Sequence, residues 1–502
     1  MLKDIAYQCL QGNMDLEIDN IIYNSEISRK NSVFVCIKGA DADGHDYAGR
    51  AAEHGARAVI CSRRPAVPEG VTIVQVEDTR KAMAYMAKVL CGCPAEKLTI
   101  IGVTGTKGKT TTVHMITQTL RTAGCPAGMI GTVQIDTGKR VIESSHTTPE
   151  SVEIQEYLRE MADWGCKAAV IEVSSQALML DRIEGLNFDI AVFTNIEEDH
   201  IGPREHNSFE EYVSCKAQLF RRCTAAVING DDPYSERMLD ACSGSVKTYG
   251  FKEGNDLQGF NYTDVRLPGK LGVEFQIKGD YNIDLVVPMP GKFTCYNGMA
   301  AAAVCSLLGI APDRIKQALR SMQVPGRQEM FPLKNGGLII VDYAHNGTAL
   351  QNLLAALSAY RPDRLTCVFG CGGDRDRNRR FKMSQAACRY ADFLVITSDN
   401  PRKESPLSII SDIMVEVKRK EVPYTVIVDR REAIRFAVSR CGRGEITVIA
   451  GKGHEKGQII GEKIIHFDDR EEVLASIEKV ENERDYYRKD RGCHEWKTPE
   501  RE

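Results

Sequence analysis

The stretch from Leu98 to Thr112 reads LTIIGVTGTKGKTTT and determines how the chain around it folds. Its first six residues are mainly apolar, which is typical of a strand that is buried on both faces of a parallel sheet. A glycine-rich turn follows and leads directly into a run that is compatible with a helix. In this order, glycines let backbone N–H groups approach phosphates, and the start of the helix favours negative charge. The stretch therefore predicts a nucleotide site in an α/β domain.

The residue types in this loop suit contacts with phosphates. Lys109 can reach the β- and γ-phosphates of a nucleotide, and the Thr110 hydroxyl can hold Mg²⁺. The loop departs from the general motif, since Val103 occupies the first glycine position and Gly105 lies two residues later. We predict nucleotide contacts for Gly105, Thr106, Lys107, Gly108, Lys109, Thr110 and Thr111.

Strand-like runs alternate with helical runs along most of the chain, which predicts an α/β fold class with parallel sheets. We expect three domains. A small α/β N-terminal domain covers residues 1–97, a central P-loop domain with a parallel sheet covers 98–330, and a Rossmann-like C-terminal domain covers 331–480. Residues 481–502 form a charged, helical tail, and the turn-rich region from Val246 to Val287 is predicted to be an antiparallel excursion.

Composition excludes several classes of protein. The 502 residues are 43% hydrophobic and 27% charged, so disordered and fibrous classes are excluded. Lys and Arg number 65 against 69 Asp and Glu, a net charge of −4, which gives no basis for nucleic-acid or membrane-surface binding. Seventeen cysteines, with no signal peptide and no apolar membrane segment, favour the reducing cytoplasm. We expect a monomer without nucleic-acid or membrane partners.

Further motifs follow the loop in a fixed order. They are His146-Thr147-Thr148-Pro149, Glu172-Val173-Ser174-Ser175-Gln176, Thr194-Asn195 with Asp199-His200, Asp342-Tyr343-Ala344-His345, Gly372-Gly373-Asp374-Arg375-Asp376, Asp399-Asn400-Pro401-Arg402 and Gly451-Lys452-Gly453-His454-Glu455. Together with the loop they make the chain, from about Ser25 to about Arg470, resemble the Mur ligase family of ATP-dependent amide-bond-forming enzymes. Within that family it most resembles the branch that adds the third residue of the peptidoglycan stem peptide.

The resemblance assigns residues to ATP and Mg²⁺. It implies that Thr110, Glu172 and His200 are Mg²⁺ ligands, and a carboxylate and an imidazole at strand ends suit a divalent ion. Lys216 matches a lysine that CO₂ carbamylates, which would provide an anionic oxygen for a second Mg²⁺. The resemblance implies catalytic roles for Lys109, Lys216, His200 and Arg327, and ATP contacts for Asn297, Arg327, Asp342 and His345. Asn346-Gly347-Thr348 departs from the Pro-containing turn that is usual in the family.

The other two substrates are assigned in the same way. The resemblance implies that the UDP-sugar peptide contacts Ser25, His45, Thr147, Thr148, Ser174 and Arg182, although Asn24-Ser25-Glu26 replaces the usual Asp-Ser-Arg. It implies that the incoming amino acid contacts Arg380, Asp399, Asn400, Pro401, Arg402, Gly451 and Glu455. Guanidinium groups can pair with a distal carboxylate in a bidentate way, which favours meso-diaminopimelate over lysine. Glu455 would hold the distal ammonium.

The expected function is therefore ATP-dependent addition of meso-diaminopimelate to UDP-N-acetylmuramoyl-L-alanyl-D-glutamate through an acyl phosphate. A lysine-adding ligase is the first alternative, because Asp199 to His206 resembles the sequence of some Gram-positive ligases that add lysine. A folylpolyglutamate-type synthetase would share the ATPase core. From a different class, the chain could be a catalytically inactive, nucleotide-gated binding protein.

Overall fold

The computed structural model describes residues 1–3, 5–27, 29–39, 42–198, 201–202 and 205–491, with side chains as far as Asn482. The chain divides into two compact units. The first unit contains Met1–Phe260, Ile277–Ile283 and Tyr296–Ala318, and the second contains Asn261–Gln276, Asp284–Cys295 and Leu319–Glu502. The predicted domain boundaries after residues 97, 330 and 480 stay predictions.

The N-terminal part of the first unit is a five-stranded sheet. Its elements are β1 (Tyr7–Gln11), β2 (Asn20–Ile22), β3 (Ser32–Val35), α1 (Ala48–Glu53), β4 (Ala56–Cys61), β5 (Thr72–Val76) and α2 (Thr79–Leu90). The strand order is β1-β5-β4-β3-β2, with β1 antiparallel to β5 and the other neighbours parallel. Helix α2 begins after Asp78, whose side chain accepts hydrogen bonds from two backbone N–H groups. The helix buries Met83 and Met86 in the apolar cluster of the sheet.

The central sheet of the first unit carries the glycine-rich loop. Its elements are β6 (Thr99–Thr104), α3 (Lys109–Thr122), β7 (Ala127–Ile130), β8 (Gln134–Asp136), β9 (Val141–Glu143), α4 (Ser151–Asp163), β10 (Ala168–Glu172), α5 (Ser175–Met179), β11 (Phe188–Phe193), α6 (Phe209–Ala217), β12 (Cys223–Asn229), α7 (Ser235–Ala241) and β13 (Ser245–Gly250). The order is β13-β12-β11-β6-β10-β7-β8-β9. From β13 to β7 all pairs are parallel, so their carboxyl ends share one edge, where functional groups collect in such sheets.

The segment after β13 contains three strands and two helices. They are β14 (Leu257–Leu267), β15 (Lys270–Gly279), β16 (Ile283–Val287), α8 (Lys292–Leu307) and α9 (Pro312–Arg320). In the first unit, β14 pairs with β13 in parallel through Leu257 and Gln258.

The second unit contains a six-stranded sheet with helices along it. Its elements are β17 (Glu329–Pro332), β18 (Leu338–Asp342), α10 (Gly347–Ser358), β19 (Leu365–Phe369), α11 (Asn378–Tyr390), β20 (Phe393–Ile396), α12 (Pro406–Lys420), β21 (Tyr424–Val426), α13 (Arg430–Arg440), β22 (Ile446–Ala450), β23 (Gly457–Ile460), β24 (Lys463–His466) and α14 (Asp469–Arg491). The order is β17-β18-β22-β19-β20-β21, parallel apart from β17. Strands β23 and β24 form a separate antiparallel hairpin.

The α/β class predicted from the sequence is confirmed, and the long apolar runs are strands. One expectation is wrong in part: the region from Val246 begins with β13, which runs parallel to β12 and extends the main sheet. The predicted charged tail begins inside α14, which continues to Arg491. Within the described part of the chain, no helix has the length and apolarity that a membrane crossing requires.

Candidate active site

The glycine-rich loop joins β6 to α3, and the end of β11 fixes its backbone. The N–H of Thr106 donates to the Asn195 carbonyl at 2.8 Å, and the N–H of Lys107 donates to Asn195 Oδ1 at 2.9 Å. Thr194 Oγ1 donates to the Lys107 carbonyl at 2.6 Å. The Thr194-Asn195 motif thus sets the shape of the loop through backbone contacts.

Two glycines in the loop are required by its geometry. Gly105 has φ +147° and a Cβ there would lie 1.9 Å from Thr194 Oγ1, while Gly108 has φ +84° and a Cβ would lie 2.5 Å from Asn297 Oδ1. Val103, at the first glycine position of the general motif, is instead a buried residue of β6, so the motif departs where the chain is still a regular strand. Asn297, a predicted ATP contact, lies beside this loop.

Two lysines donate to the same carbonyl oxygen of the loop. Lys109, the first residue of α3, donates from Nζ to the Gly105 carbonyl at 2.8 Å and to the Thr106 carbonyl at 3.1 Å. Lys216 on α6 is buried and donates to the Gly105 carbonyl at 3.0 Å, with its Nζ 4.6 Å from the centre of the Tyr212 ring. Two cations are therefore held at the phosphate-binding loop.

Glu172, at the end of β10, is buried among hydroxyl groups. Its carboxylate accepts hydrogen bonds from Thr110 Oγ1 at 3.0 Å and from the Thr132 N–H at 2.8 Å. Thr132 Oγ1 lies 3.0 Å from both the Glu172 carboxylate and Thr147 Oγ1. Thr110 and Glu172 thus present two adjacent hard oxygen donors at the loop, which is the donor type that Mg²⁺ prefers.

A cleft of about 170 Å³ joins Lys109 and Lys216 to the residues predicted for the UDP-sugar peptide. It is lined by Lys109, His146, Thr147, Thr148, Ser174, Ser175, Gln176, Met179, Arg182, Glu205, His206 and Lys216. Ser174 caps α5 by accepting from the Ala177 N–H, and Thr148 Oγ1 donates to the Glu172 carbonyl at 2.6 Å. The backbone at the end of β10 therefore positions the Thr148 hydroxyl, and the first turn of α5 positions that of Ser174.

Acidic side chains at the start of α4 connect the cleft to the N-terminal sheet. Arg182 pairs with Glu150 at 2.9 Å, and Arg80 of α2 pairs with the other oxygen of Glu150, also at 2.9 Å. Tyr23 Oη donates to the Glu153 carboxylate. Burial raises the pKa of the Glu153 carboxyl above its ordinary value. The N-terminal part of the unit is thus joined to the cleft side by ion pairs at Glu150 and by a hydrogen bond at Glu153.

His45 and Ser25, predicted for the nucleotide sugar, are both buried in the N-terminal part of the first unit. The His45 ring has partners at both nitrogens: Nε2 accepts from the Ser62 N–H at 3.0 Å, so Nδ1 carries the proton and donates to Asp43 at 2.6 Å. The hydrogen bond from His45 holds the pKa of Asp43 well below its usual range. His45 therefore shapes the Asp43 loop.

In the second unit, Arg327 and the Asp342-to-His345 motif meet around the ring of Tyr343. The Arg327 guanidinium lies 4.4 Å from the centre of the Tyr343 ring, which also contacts the rings of His345 and His454 at 4.5 Å and 4.8 Å. Asp342, at the end of β18, accepts from two backbone N–H groups, and burial raises the pKa of its carboxyl. This places Arg327, Asp342 and His345 at one strand end.

The loops that follow β20 and β22 hold the residues predicted for the amino acid. Arg402 has φ +51°, donates from its guanidinium to the Gly373 carbonyl at 2.8 Å, and is paired through its backbone with the β23–β24 hairpin. Asn400 Nδ2 donates to Glu455 Oε2 at 3.1 Å. The structure therefore brings Arg402, Asn400 and Glu455 together at the carboxyl edge of one parallel sheet, although β19 lies between β20 and β22.

The side chain of Arg430 connects the loop after β20 with the loop after β22 through hydrogen bonds to their backbone. Its guanidinium donates to the carbonyl of Ser398 at 3.4 Å and to that of Ala450 at 3.0 Å, the residues just before Asp399 and Gly451. It also forms two hydrogen bonds of 2.7 Å with Asp469, and both side chains are fully buried. The start of α14 is thus part of the support of the candidate amino-acid site.

Arg380, predicted to contact the amino acid, is buried and has partners in its own unit. One guanidinium nitrogen lies 2.7 Å from Glu404, and another lies 2.8 Å from Asp412. The hydrogen bond from Arg380 lowers the pKa of Glu404, while that of Asp412 is lowered first by Arg377 and then by Arg380. We expect Arg380 to position helices α11 and α12 around the site.

Replacing Arg380 with methionine is expected to destabilise the second unit by about 2–4 kcal/mol at pH 7, since two partly buried carboxylates lose a cation. Because the pKa values of Glu404 and Asp412 are lowered in the fold, the stability they contribute is present above about pH 4 and is lost as pH falls through the lowered values. Urea unfolding of wild type and variant from pH 7 to pH 3 should show the difference shrinking. The exposed Arg389→Met on the same helix is the control, and an unchanged difference at pH 3 would contradict this.

His200 and its neighbour Asp199 lie outside the described residues, so the predicted His200 ligand has no structural account. Among the residues that the structure does describe, no group of three or more His, Cys, Asp or Glu side chains could hold a metal ion. Two residues were missed by sequence reasoning. His206 is buried and lines the cleft, and Lys452 is buried beside Glu455. Both residues lie within motifs that are named above. The position of Lys452 between Gly451 and Gly453 was the signal that could have indicated its role.

Comparison with known proteins gives the family. The sequence profiles of the Mur ligase family catalytic domain, the Mur ligase middle domain and the Mur ligase glutamate ligase domain match residues 17–89, 103–305 and 326–453. The chain belongs to the Mur ligase family. The prediction of the family, and with it of an ATP-dependent ligase, is confirmed.

Several members of the Mur ligase family are similar over nearly the whole chain. The UDP-N-acetylmuramoyl-L-alanyl-D-glutamate–2,6-diaminopimelate ligase of Caldanaerobacter subterraneus subsp. tengcongensis is 41% identical over 486 residues, which is 95% of this chain and 99% of the relative. The protein of the same name from Geobacillus thermodenitrificans is 41% identical over 459 residues, 89% of this chain and 92% of the relative.

Solved Mur ligase structures share the fold. A UDP-N-acetylmuramoyl-L-alanyl-D-glutamate–2,6-diaminopimelate ligase has a TM-score of 0.67 at 29% identity, covering 93% of this chain and 97% of that one. The MurF ligase of Thermotoga maritima in complex with ADP has a TM-score of 0.62 at 20% identity, covering 94% and 100%. The predicted fold class, a three-domain α/β Mur ligase with a central P-loop domain, is confirmed.

Proposed function

We propose that the protein is the ligase that joins meso-diaminopimelate to UDP-N-acetylmuramoyl-L-alanyl-D-glutamate during synthesis of the peptidoglycan precursor. The observation that carries this proposal is the cleft of the first unit, which is lined both by Lys109 and Lys216 and by Thr147, Ser174 and Arg182. The Lys109 cation beside the hydroxyl donors Thr147 and Ser174 suits transfer of a phosphoryl group from ATP to a bound carboxylate. The names of the two relatives at 41% identity support the same reaction.

The proposed reaction has two steps. A carboxylate oxygen of the D-glutamyl residue attacks the γ-phosphorus of ATP, and ADP leaves. The amine of meso-diaminopimelate then attacks the acyl carbon, loses a proton, and phosphate leaves. The first step is needed because a carboxylate becomes a good electrophile only when it carries the phosphate. Lys109 and Arg327 would offset the negative charge that collects in this step.

Mg²⁺ fits the donors at the loop. Thr110 Oγ1 and the Glu172 carboxylate would hold it, and His200 and carbamylated Lys216 are the further ligands that we propose. When bound, Mg²⁺ supplies charge neutralisation on the phosphates. Thr110, at the start of α3, presents its hydroxyl beside the phosphate-binding loop, and the buried Glu172 fixes that hydroxyl.

The test is phosphate release by the purified protein with ATP, Mg²⁺ and UDP-N-acetylmuramoyl-L-alanyl-D-glutamate. Three reactions contain meso-diaminopimelate, L-lysine or no amine, and a fourth replaces Mg²⁺ with EDTA. We expect phosphate only with meso-diaminopimelate and Mg²⁺. Preference for lysine would establish the lysine-adding alternative, whereas ATP binding without turnover in every reaction would establish the inactive binding protein.

Arg402 is expected to determine the choice of amine. Replacing Arg402 with alanine should lower kcat/KM for meso-diaminopimelate about 100-fold, because the distal carboxylate loses its partner, while the weak reaction with L-lysine should change less than about threefold. Steady-state kinetics with both amines measure this. Lys403→Ala removes the adjacent, exposed cation and should leave both reactions unchanged. An equal loss with both amines would contradict a role in specificity.

We further propose that the protein works in the cytoplasm. All sixteen cysteines in the described residues are free thiols, which suits a reducing compartment. The monomeric state stays a prediction, which sedimentation equilibrium tests.

A further inference from the structure

Lys452 is a lysine without solvent exposure in the loop that follows β22. Its ammonium donates to Glu455 Oε2 at 3.0 Å, to Asn400 Oδ1 at 3.2 Å and to the Gly457 carbonyl at 2.6 Å. An ammonium group has three protons, and here three acceptors receive them. A buried cation is retained only when it is paired and hydrogen-bonded in this way, so its position is strictly determined.

The orientation of Asn400 follows from the same contacts. Its Oδ1 accepts from Lys452 and from the backbone N–H of Ile459 at 3.0 Å, which is a donor only. The amide nitrogen must therefore point the other way, where it donates to Glu455 Oε2 at 3.1 Å. Asn400 and Lys452 thus both bind the same oxygen of Glu455.

This arrangement gives the two oxygens of the Glu455 carboxylate different surroundings. Oε2 is occupied by two donors, while among the described residues Oε1 accepts no hydrogen bond. The side chain is 34% exposed, so the carboxylate is accessible from solvent. A carboxylate held through one oxygen presents the other in a fixed direction, which favours a single, well-placed cationic partner.

We infer that Lys452 is a positioning residue for specificity: with Asn400 it fixes Glu455 so that Oε1 receives the distal ammonium of the incoming diamino acid. This inference rests on the proposed function. Lys452 acts through Glu455, and it needs no contact with the substrate. Loss of Lys452 releases the Glu455 carboxylate from its fixed orientation and leaves the reaction with substrates that lack the distal amine largely unchanged.

The test compares meso-diaminopimelate with L-2-aminopimelate, which lacks only the distal amine. The measured quantity is the ratio of kcat/KM for the two amines in wild type, Lys452→Met, Glu455→Gln and the double variant. We expect Lys452→Met to lower the ratio about tenfold or more, mainly through KM for meso-diaminopimelate, and the double variant to match Glu455→Gln alone. The exposed Lys463→Met should keep the wild-type ratio.

The outcomes separate the inference from the function on which it rests. A loss of activity in Lys452→Met that is equal for both amines indicates a merely structural role and overturns the inference. If Lys452→Met does not fold, Asn400→Ala removes the second donor to Oε2, and an unchanged ratio there overturns the inference. If wild type does not use meso-diaminopimelate at all, the proposed function itself fails.

Discussion

Replacing Lys109 with methionine is expected to lower the rate of ATP-dependent amide formation about 1000-fold. Lys109 begins α3 and its ammonium donates to the carbonyls of Gly105 and Thr106, so it lies where the phosphates of a nucleotide would contact the loop. Methionine keeps the length of the side chain and removes the charge. Loss of this charge should therefore weaken the stabilisation of the negatively charged transition state, while the free energy of unfolding changes by less than about 1 kcal/mol.

Two measurements check this expectation. Phosphate release with the complete set of substrates gives kcat, and calorimetric titration with ATP gives the binding affinity. Lys167→Met, which changes an exposed lysine of the same unit, should leave both values unchanged. A loss of kcat below tenfold in Lys109→Met would mean that the loop binds phosphate mainly through its backbone N–H groups.

Replacing Arg430 with methionine is expected to destabilise the second unit by about 3–5 kcal/mol, because Asp469 would remain as an unpaired carboxylate in a fully buried site. Hydrogen bonds to the carbonyls of Ser398 and Ala450 are lost at the same time. The loops after β20 and β22 should then be less well fixed, which raises KM for the amino acid.

The chain offers a closely matched control. Arg431 also pairs with an acid of α14, Glu472, but its side chain is 52% exposed, so Arg431→Met should cost less than about 1 kcal/mol. Urea unfolding, followed through the transition of the second unit, compares the two variants. Equal destabilisation by both would show that burial does not determine the strength of these ion pairs. Arg430→Met with Asp469→Leu should be more stable than Arg430→Met alone.

The sequence was sufficient to predict the features that depend on residues close together along the chain. The phosphate-binding loop is a strand, a turn and a helix within 15 residues, so Gly105, Lys109 and Thr110 could be located before any contact was known. Strands such as β20 and β22 are mainly apolar runs, and the parallel sheet that contains both places Asp399 and Gly451 at one edge. Local spacing and the rules of parallel sheets carry this information.

Contacts between distant residues could not be derived in this way. Arg380 resembles a substrate contact in the sequence, yet its partners Glu404 and Asp412 come from the segment that contains α12, and only helix packing brings them together. The buried position of Lys452 depends on Asn400 and on the turn at Gly457. Packing therefore decides whether a charged side chain is solvated, supports the structure or binds substrate. A sequence motif does not contain this information.

The shared network at the start of α4 limits how this protein could exchange parts during evolution. Arg80 and Tyr23 of the N-terminal part bind Glu150 and Glu153, respectively, and Glu150 also binds Arg182 in the cleft. A recombined gene that supplied a foreign N-terminal segment without a matching arginine and tyrosine would leave Glu153 without its hydrogen-bond donor and Glu150 paired with Arg182 alone, beside the cleft. We therefore expect chimeras between distant relatives to function only when Arg80 and Tyr23 come from the same parent as Glu150 and Glu153.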